Sequence, residues 1–263
     1  VGVVAETEDG EINVHALRGV VMATGSFDHN AEMVSAFLRG PLYYSSAVKS
    51  SLGDGHLMGM ALGANLRNMN ESWGWPVYYN PELDAGIPAT AIDLGKPGAL
   101  VVNGRGKRFF NEAGAYDGAT RTFYHYDNAT HGYMNIPAYA IIDSGHRSRY
   151  SFAGNPAGAE LPAWIVQADT LEDLAAALNI DAAALVATVE HFNENAAQGI
   201  DPDFNRGVSA FDQLSGGDRS RTDIANPSLA PLSEPPFYAA EIYPGSLGTC
   251  GGLQVNGKAQ VLN

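Results

Sequence analysis

Three glycine-bearing stretches and a band of aromatic rings hold most of the chemistry this sequence offers. The first, Arg18-Gly19-Val20-Val21-Met22-Ala23-Thr24-Gly25-Ser26, reads as a β-strand ending in small residues. Such an end leaves main-chain N–H groups at the carboxyl edge of a sheet, where open α/β sheets take their ligands. The second, Gly53-Asp54-Gly55-His56, opens a helix of small residues over 57–64. It sets Asp54 and Gly55 where N–H groups without an intrahelical partner can face a ligand. Asp54 can equally be a plain helix cap. The third, Gly248-Thr249-Cys250-Gly251-Gly252-Leu253, is at its simplest a glycine-rich turn between strands, with Cys250 as a small buried filler rather than a redox thiol. Between these stretches, Trp73, Trp75, Tyr78, Tyr79, Phe109 and Phe110 can line a flat apolar slot or serve as ordinary core.

Other chemistries find little support. The seven histidines are scattered, and His125 and His131, which flank Tyr126-Asp127-Asn128, lack metal-ligand spacing, so no metal site is expected. No Gly-x-Ser-x-Gly elbow marks a serine hydrolase. His146-Arg147-Ser148-Arg149-Tyr150 reads as a solvated basic stretch. Glu112 can bind a substrate or cap a turn, and Arg108 is expected to pair with an acid or to cap a hairpin.

The elements that must position these residues follow from pattern. The chain opens on a short β-like run and a polar turn through Gly10, a hairpin that feeds the buried strand ending at Gly25. From Trp73 to about Gly158 proline, tyrosine and glycine become frequent. Ala99-Leu100-Val101-Val102-Asn103, then Gly104-Arg105-Gly106, then Lys107-Arg108-Phe109-Phe110-Asn111 predicts a hairpin, and residues 136–143 a further strand. A helix over 170–178 is capped by Thr170, with Asp173 three positions on. A second, over 181–198, carries Leu185, Val189 and Phe192 on one stripe and stops at Gly199. Residues 237–263 are β-like.

Composition narrows the partners. The chain has 263 residues, 45% of them hydrophobic, enough for one large or two ordinary domains. A net charge of −14 argues against nucleic acid and anionic membrane surfaces. One cysteine excludes an internal disulfide and favours a reducing, cytoplasmic setting. No apolar run approaches the roughly 20 residues of a membrane helix.

Taken in order, these segments resemble the FAD-binding proteins that include soluble fumarate reductases and 3-ketosteroid dehydrogenases. The likeness is carried by Gly19 to Phe27, by Gly53-Asp54-Gly55 with its helix, and by Lys96-Pro97-Gly98 through Gly106-Lys107-Arg108-Phe109-Phe110-Asn111-Glu112. It is carried further by Phe192-Asn193 to Arg206-Gly207, and by Pro236-Phe237-Tyr238-Ala239 with the Thr249–Gly252 turn. Each motif is weak alone; five in order are strong. The resemblance implies an α/β fold: a partial Rossmann-like FAD-binding domain (1–72 and 236–263) with an inserted α+β substrate-capping domain (73–235). It implies FAD as cofactor, held by Ala23, Thr24, Gly25, Ser26, Asp54, Gly55, Thr249, Gly251 and Gly252. The family's opening Gly-x-Gly-x-x-Gly fingerprint and its closing flavin-contacting segment have no counterpart here, so the chain is expected to be an internal fragment or one chain of a split enzyme, with a second chain supplying the missing parts.

After Asn111-Glu112 the sequence runs Ala113-Gly114-Ala115-Tyr116-Asp117, which resembles the ketosteroid branch, where a tyrosine in this position is the catalytic base. That branch implies Δ1-dehydrogenation of a 3-ketosteroid: Tyr116 takes a proton beside the carbonyl while a hydride leaves the next carbon for flavin N5. Trp75, Phe109 and Tyr116 would contact the apolar, steroid-like substrate, with an electron acceptor that the sequence does not name. Two rivals remain open. One is a reductase of an unsaturated acid such as fumarate or urocanate, which needs arginines from among Arg108, Arg121, Arg147 and Arg149. The other is a flavin-free binding or structural fragment of the same fold.

Overall fold

The computed structural model describes residues 2–83, 87–88 and 91–263. In chain order its elements are β1 (Gly2–Thr7), β2 (Gly10–His15), α1 (Ala31–Phe37), β3 (Tyr44–Ser45), α2 (Asp54–Ala61), β4 (Leu66–Arg67), β5 (Ser72–Tyr78), β6 (Ile87–Pro88), α3 (Ala91–Leu94) and β7 (Ala99–Asn103). There follow α4 (Tyr116–Thr122), β8 (Tyr126–Asp127), β9 (Gly132–Tyr133), β10 (Ala138–Ile142), α5 (Ser144–Arg149), β11 (Val166–Ala168), α6 (Leu171–Leu178), α7 (Ala182–Ala196), a π-helical turn (Asp212–Gly216), β12 (Phe237–Thr249) and β13 (Gly252–Leu253).

The spine of the molecule is β12. Its first half pairs antiparallel with β10 and β11, and its second half pairs with β5 and, in parallel, with β3, within a seven-stranded sheet. On the far side of β10 lies β7, and both are buried along their whole length. Successive strand residues point to opposite faces, so β7 and β10 feed two cores. Val101, Ala140 and Ile142 join Phe110 and Phe123 on one face; Leu100, Val102 and Ile141 join Leu174, Leu185, Val189 and Phe192 of α6 and α7 on the other. Both helices begin as their cap residues predict. Thr170 Oγ1 accepts from Asp173 N–H and Asp181 Oδ1 from Ala184 N–H, while Gly199 takes up a left-handed φ of 75° beyond the end of α7.

Three sequence expectations are corrected. β1 and β2 form the predicted hairpin, with Thr7 opposite Gly10, but residues 17–25 form no strand. They run exposed, Val21 at 90%, and no ladder partner exists for them among the described residues. A strand is defined by its neighbour, and here none is supplied. The hairpin across Gly104-Arg105-Gly106 is a turn only: Asn103 N–H reaches Lys107 O at 2.9 Å, then the chain leaves the sheet and β10 takes the place beside β7. Phe110 and Ala113 dive into the core instead, which no period-2 pattern announces. The stretch 146–150 is not a solvated surface, because His146 and Arg147 are buried in and beside α5. Arg147 is tied to the carbonyls of Pro156 and Ala159, and His146 Nδ1 lies 2.9 Å from Pro97 O. β12 pairs with β10 and β11 as well as with β5. No helix among the described residues is long and apolar enough to cross a membrane.

Candidate functional site

Four pieces of chain enclose a cavity of about 560 Å³: residues 20–25, the first turn of α2, the turn at 251–253, and residues 255–261. The sharp exit at its edge is made by Gly25, whose φ of +81° side chains rarely adopt. Gly53 precedes α2 at φ 84°, and a Cβ there would lie 2.5 Å from Met33 Sδ. Thr24 Oγ1 accepts from Gly55 N–H at 3.0 Å, and a Cβ on Gly55 would fall 2.4 Å from that same oxygen. The strand-like segment is thereby clamped to the helix start, and the Gly55 N–H is already satisfied from within. Gly251 is demanded by the chain as well, since its Cβ would meet Met69 Cα at 2.5 Å. Gly252 is different: a Cβ there would meet nothing closer than His56 Nε2 at 3.6 Å. The bareness of Gly252 is not required by protein packing and leaves main chain open to a bound group.

Ala23, Thr24, Gly25, Gly55, Gly251 and Gly252 all line this cavity. Ser26, Asp54 and Thr249 do not. The Ser26 hydroxyl donates to the buried carboxylate of Asp28, which also accepts Thr249 N–H at 3.1 Å and the Ser45 hydroxyl at 3.1 Å. Asp54 is exposed in the first turn of α2, where its charge complements the helix dipole. Two residues were not legible in advance. Asp28 gathers three chain segments under the turn, and nothing in its sequence neighbourhood points to that. His56 lines the cavity and sits with Nε2 3.1 Å from Gly251 O. A carbonyl only accepts, so Nε2 carries a proton; Nδ1 is buried with no partner among the described residues. The adjacency of His56 to Gly53-Asp54-Gly55 was the available signal.

Tyr116 opens α4, and α4 is seated on β5 through Gly74, where a Cβ would lie 2.7 Å from Thr120 Cγ2. Thr120 Oγ1 in turn donates to Tyr116 O at 2.9 Å. Flanking Gly74, Trp73 donates its indole N–H to Tyr116 Oη at 3.1 Å, and Trp75 meets the Tyr116 ring edge-on at 6.2 Å. The start of β5 is joined to the glycine turn: Ser72 pairs with Thr249, and Cys250 N–H donates to Glu71 O at 2.9 Å. Trp73, Asp117, Arg121 and Cys250 share a cavity of about 280 Å³ there. Cys250 is exposed rather than buried filler, and partial burial together with the Glu71 carboxylate pushes its thiol pKa up, away from the reactive thiolate. Phe109 is partly buried against the core, tilted 4.9 Å from Phe110 and edge-on 5.2 Å from Phe123.

The Arg108-Phe109-Phe110-Asn111-Glu112 segment serves as a buried staple. Arg108 grips Glu112 with Nε at 2.8 Å and one terminal nitrogen at 2.7 Å, and grips Asp201 with both terminal nitrogens at 2.9 Å. Fully buried Arg206 adds a contact of 3.3 Å to Glu112, and its two terminal nitrogens donate to the carbonyls of Leu94, Lys96 and Ala99. Burial alone would raise the Glu112 pKa, but the guanidinia of Arg108 and Arg206 hold it below its ordinary value. Asn111 donates to Asp212, the first residue of the π-helical turn, at 2.9 Å.

Main chain, glycine and one imidazole with an unpartnered Nδ1 line a slot in an α/β frame that can take a flat cofactor. A family model described as FAD binding domain matches residues 1–263, and the chain belongs to that family. It is 36% identical over 253 residues to 4-oxocyclohexanecarboxylate 2-dehydrogenase of Sinomonas cyclohexanicum, covering 95% of this chain and 44% of that protein. It is 38% identical over 271 residues to 3-oxosteroid 1-dehydrogenase of Mycobacterium tuberculosis, covering 97% of this chain and 46% of that one. Among solved structures it superposes on 3-ketosteroid delta1-dehydrogenase from Sterolibacterium denitrificans, in complex with 1,4-androstadiene-3,17-dione, with a TM-score of 0.92 and 33% identity over 100% of this chain and 48% of that one. The chain spans about half the length of the relatives it matches. The residues at the cavity beside α2 fit FAD: Ala23, Thr24, Gly25, Gly251 and the open Gly252 would hold it.

Proposed function

We propose that the whole protein is an FAD-dependent oxidoreductase that dehydrogenates a 3-ketosteroid at its Δ1 position, with Tyr116 as the base. When bound, FAD supplies the acceptor for the hydride. This chain supplies the rest of the chemistry on its side of the cleft. The C–H next to a ketone is acidified because the charge left behind spreads onto the carbonyl oxygen. Tyr116, as its phenolate, takes that proton and becomes the phenol, the hydride departs from the neighbouring carbon, and a C=C bond forms between the two. Trp75, edge-on to the Tyr116 ring, would face an apolar ring of the substrate.

The observation that carries the reading is the seat of Tyr116. Its hydroxyl is held at the end of β5 that is hydrogen-bonded to the Thr249–Gly252 turn, the turn whose open glycine faces the cofactor cavity. Of the arginines an acid reductase would draw on, Arg108 is buried in its staple, Arg147 is bound to main-chain carbonyls and Arg149 donates to Gly145 O at 3.1 Å, while Arg121, in the cavity beside Trp73, pairs with Glu71 at 3.0 Å. Relatives that oxidise a steroid ketone and an oxocyclohexane acid share the ketone and not the rest of the substrate, which supports a site organised around the carbonyl. The test is a substrate trial on the whole protein under anaerobic conditions. Dye reduction that depends on a 3-ketosteroid supports the reading; reduction of fumarate by a reduced dye, with no response to steroid, overturns it.

A further inference from the structure

The hydroxyl of Tyr116 is fixed by more than its own helix. Three restraints converge on the residue: Thr120 Oγ1 on its carbonyl at 2.9 Å, Trp75 against its ring, and Trp73 Nε1–H on its Oη at 3.1 Å. The third is unusual, because Trp73 is 54% exposed, a large apolar side chain left at a cavity mouth with its one polar atom directed at the phenol. An indole N–H donates and never accepts, so Trp73 cannot remove a proton from Tyr116. It occupies one lone pair of the oxygen and fixes the direction of the other.

We propose that Trp73 is a positioning residue for the proton-abstraction step, acting through Tyr116. This inference rests on the reading of Tyr116 as the base. The indole sets the phenol oxygen at the angle needed to meet the substrate C–H, and small misplacements of such groups carry large rate penalties. Gly74, between Trp73 and Trp75, seats α4 on the same strand, so the indole and the phenol are held by two elements packed directly on each other.

Two measurements on the FAD-loaded whole protein test this. With a 3-ketosteroid deuterated at the carbon beside the carbonyl, Trp73→Phe should lower kcat about tenfold, leave KM nearly unchanged and enlarge the deuterium isotope effect on kcat, since the proton step becomes more fully rate-limiting. An unchanged kcat, or a raised KM with kcat intact, overturns the inference and makes Trp73 a mere wall of the substrate slot. Independently of turnover, the indole ¹⁵N–¹H resonance that disappears in Trp73→Phe should shift upfield in Tyr116→Phe; a resonance that stays in place overturns the inference, whether or not the phenylalanine variant at position 73 is active. If Tyr116→Phe turns over at the parent rate, the reading of Tyr116 itself fails, a result distinct from either of these.

Discussion

Gly74 and Thr120 touch so closely that a Cβ on the glycine would lie 2.7 Å from Thr120 Cγ2. That contact is what sets Tyr116, four residues earlier on α4, beside the two indoles of β5. Gly74→Ala is therefore expected to push α4 off the strand. The overpacking should cost about 1–3 kcal/mol of stability. Turnover should fall by more than the stability loss explains, because the phenol is displaced from its partners. Thermal unfolding and steady-state turnover of the same variant check both parts.

Glu112 is the shared carboxylate of two buried guanidinia, and its replacement should show what the staple contributes. Glu112→Gln keeps the shape and removes the charge, leaving Arg206 buried beside a neutral amide. Denaturant unfolding is expected to reveal a loss of about 3–5 kcal/mol. Glu71 bridges Arg39 and Arg121 at the surface, and Glu71→Gln should cost less than about 1 kcal/mol. Equal losses at the two sites would contradict the distinction.

His146 gives the protein a pH signature. Burial, followed by the neighbouring Arg206, Arg147 and Lys96 charges, lowers its pKa to about 4, against the opposing pull of Pro97 O. The unfolded chain binds a proton near the ordinary histidine value of about 6.5 and the folded one does not. Stability is thus fully present above about pH 6.5 and is lost as the pH falls towards 4, by at most about 3 kcal/mol. His146→Asn should flatten that slope between pH 6.5 and 4 while leaving the steeper loss below it, where Glu112 and Asp201 take up protons. An unchanged slope would show that the imidazole does not carry it.

What the sequence made legible was local. Thr170 and Asp181 announce α6 and α7 because a cap and its helix are adjacent in sequence, and the Leu185, Val189, Phe192 stripe follows from helical period alone. The wall of the cavity was readable because glycine leaves a mark wherever main chain must come close. Pairings over long separations were not. Nothing near Ala99 says that its strand pairs with β10 and not with the segment just after the turn. Trp73 and Tyr116 meet across 43 residues, and Asp28 and Thr249 across 221, through a strand whose role as spine depends on every partner it gathers. His146 and Arg147 look like surface in sequence; they are buried because Pro97, Pro156 and Ala159 happen to present carbonyls to them.

The central claim is that Tyr116 takes the proton. The most direct measurement is the rate of anaerobic flavin reduction when excess 3-ketosteroid is mixed with the FAD-loaded whole protein and its Tyr116→Phe variant, with steroid binding measured separately. Loss of a general base predicts a rate lower by about a hundredfold or more, with steroid affinity kept within a few-fold. Flavin reduction in the variant at close to the parent rate would contradict the account.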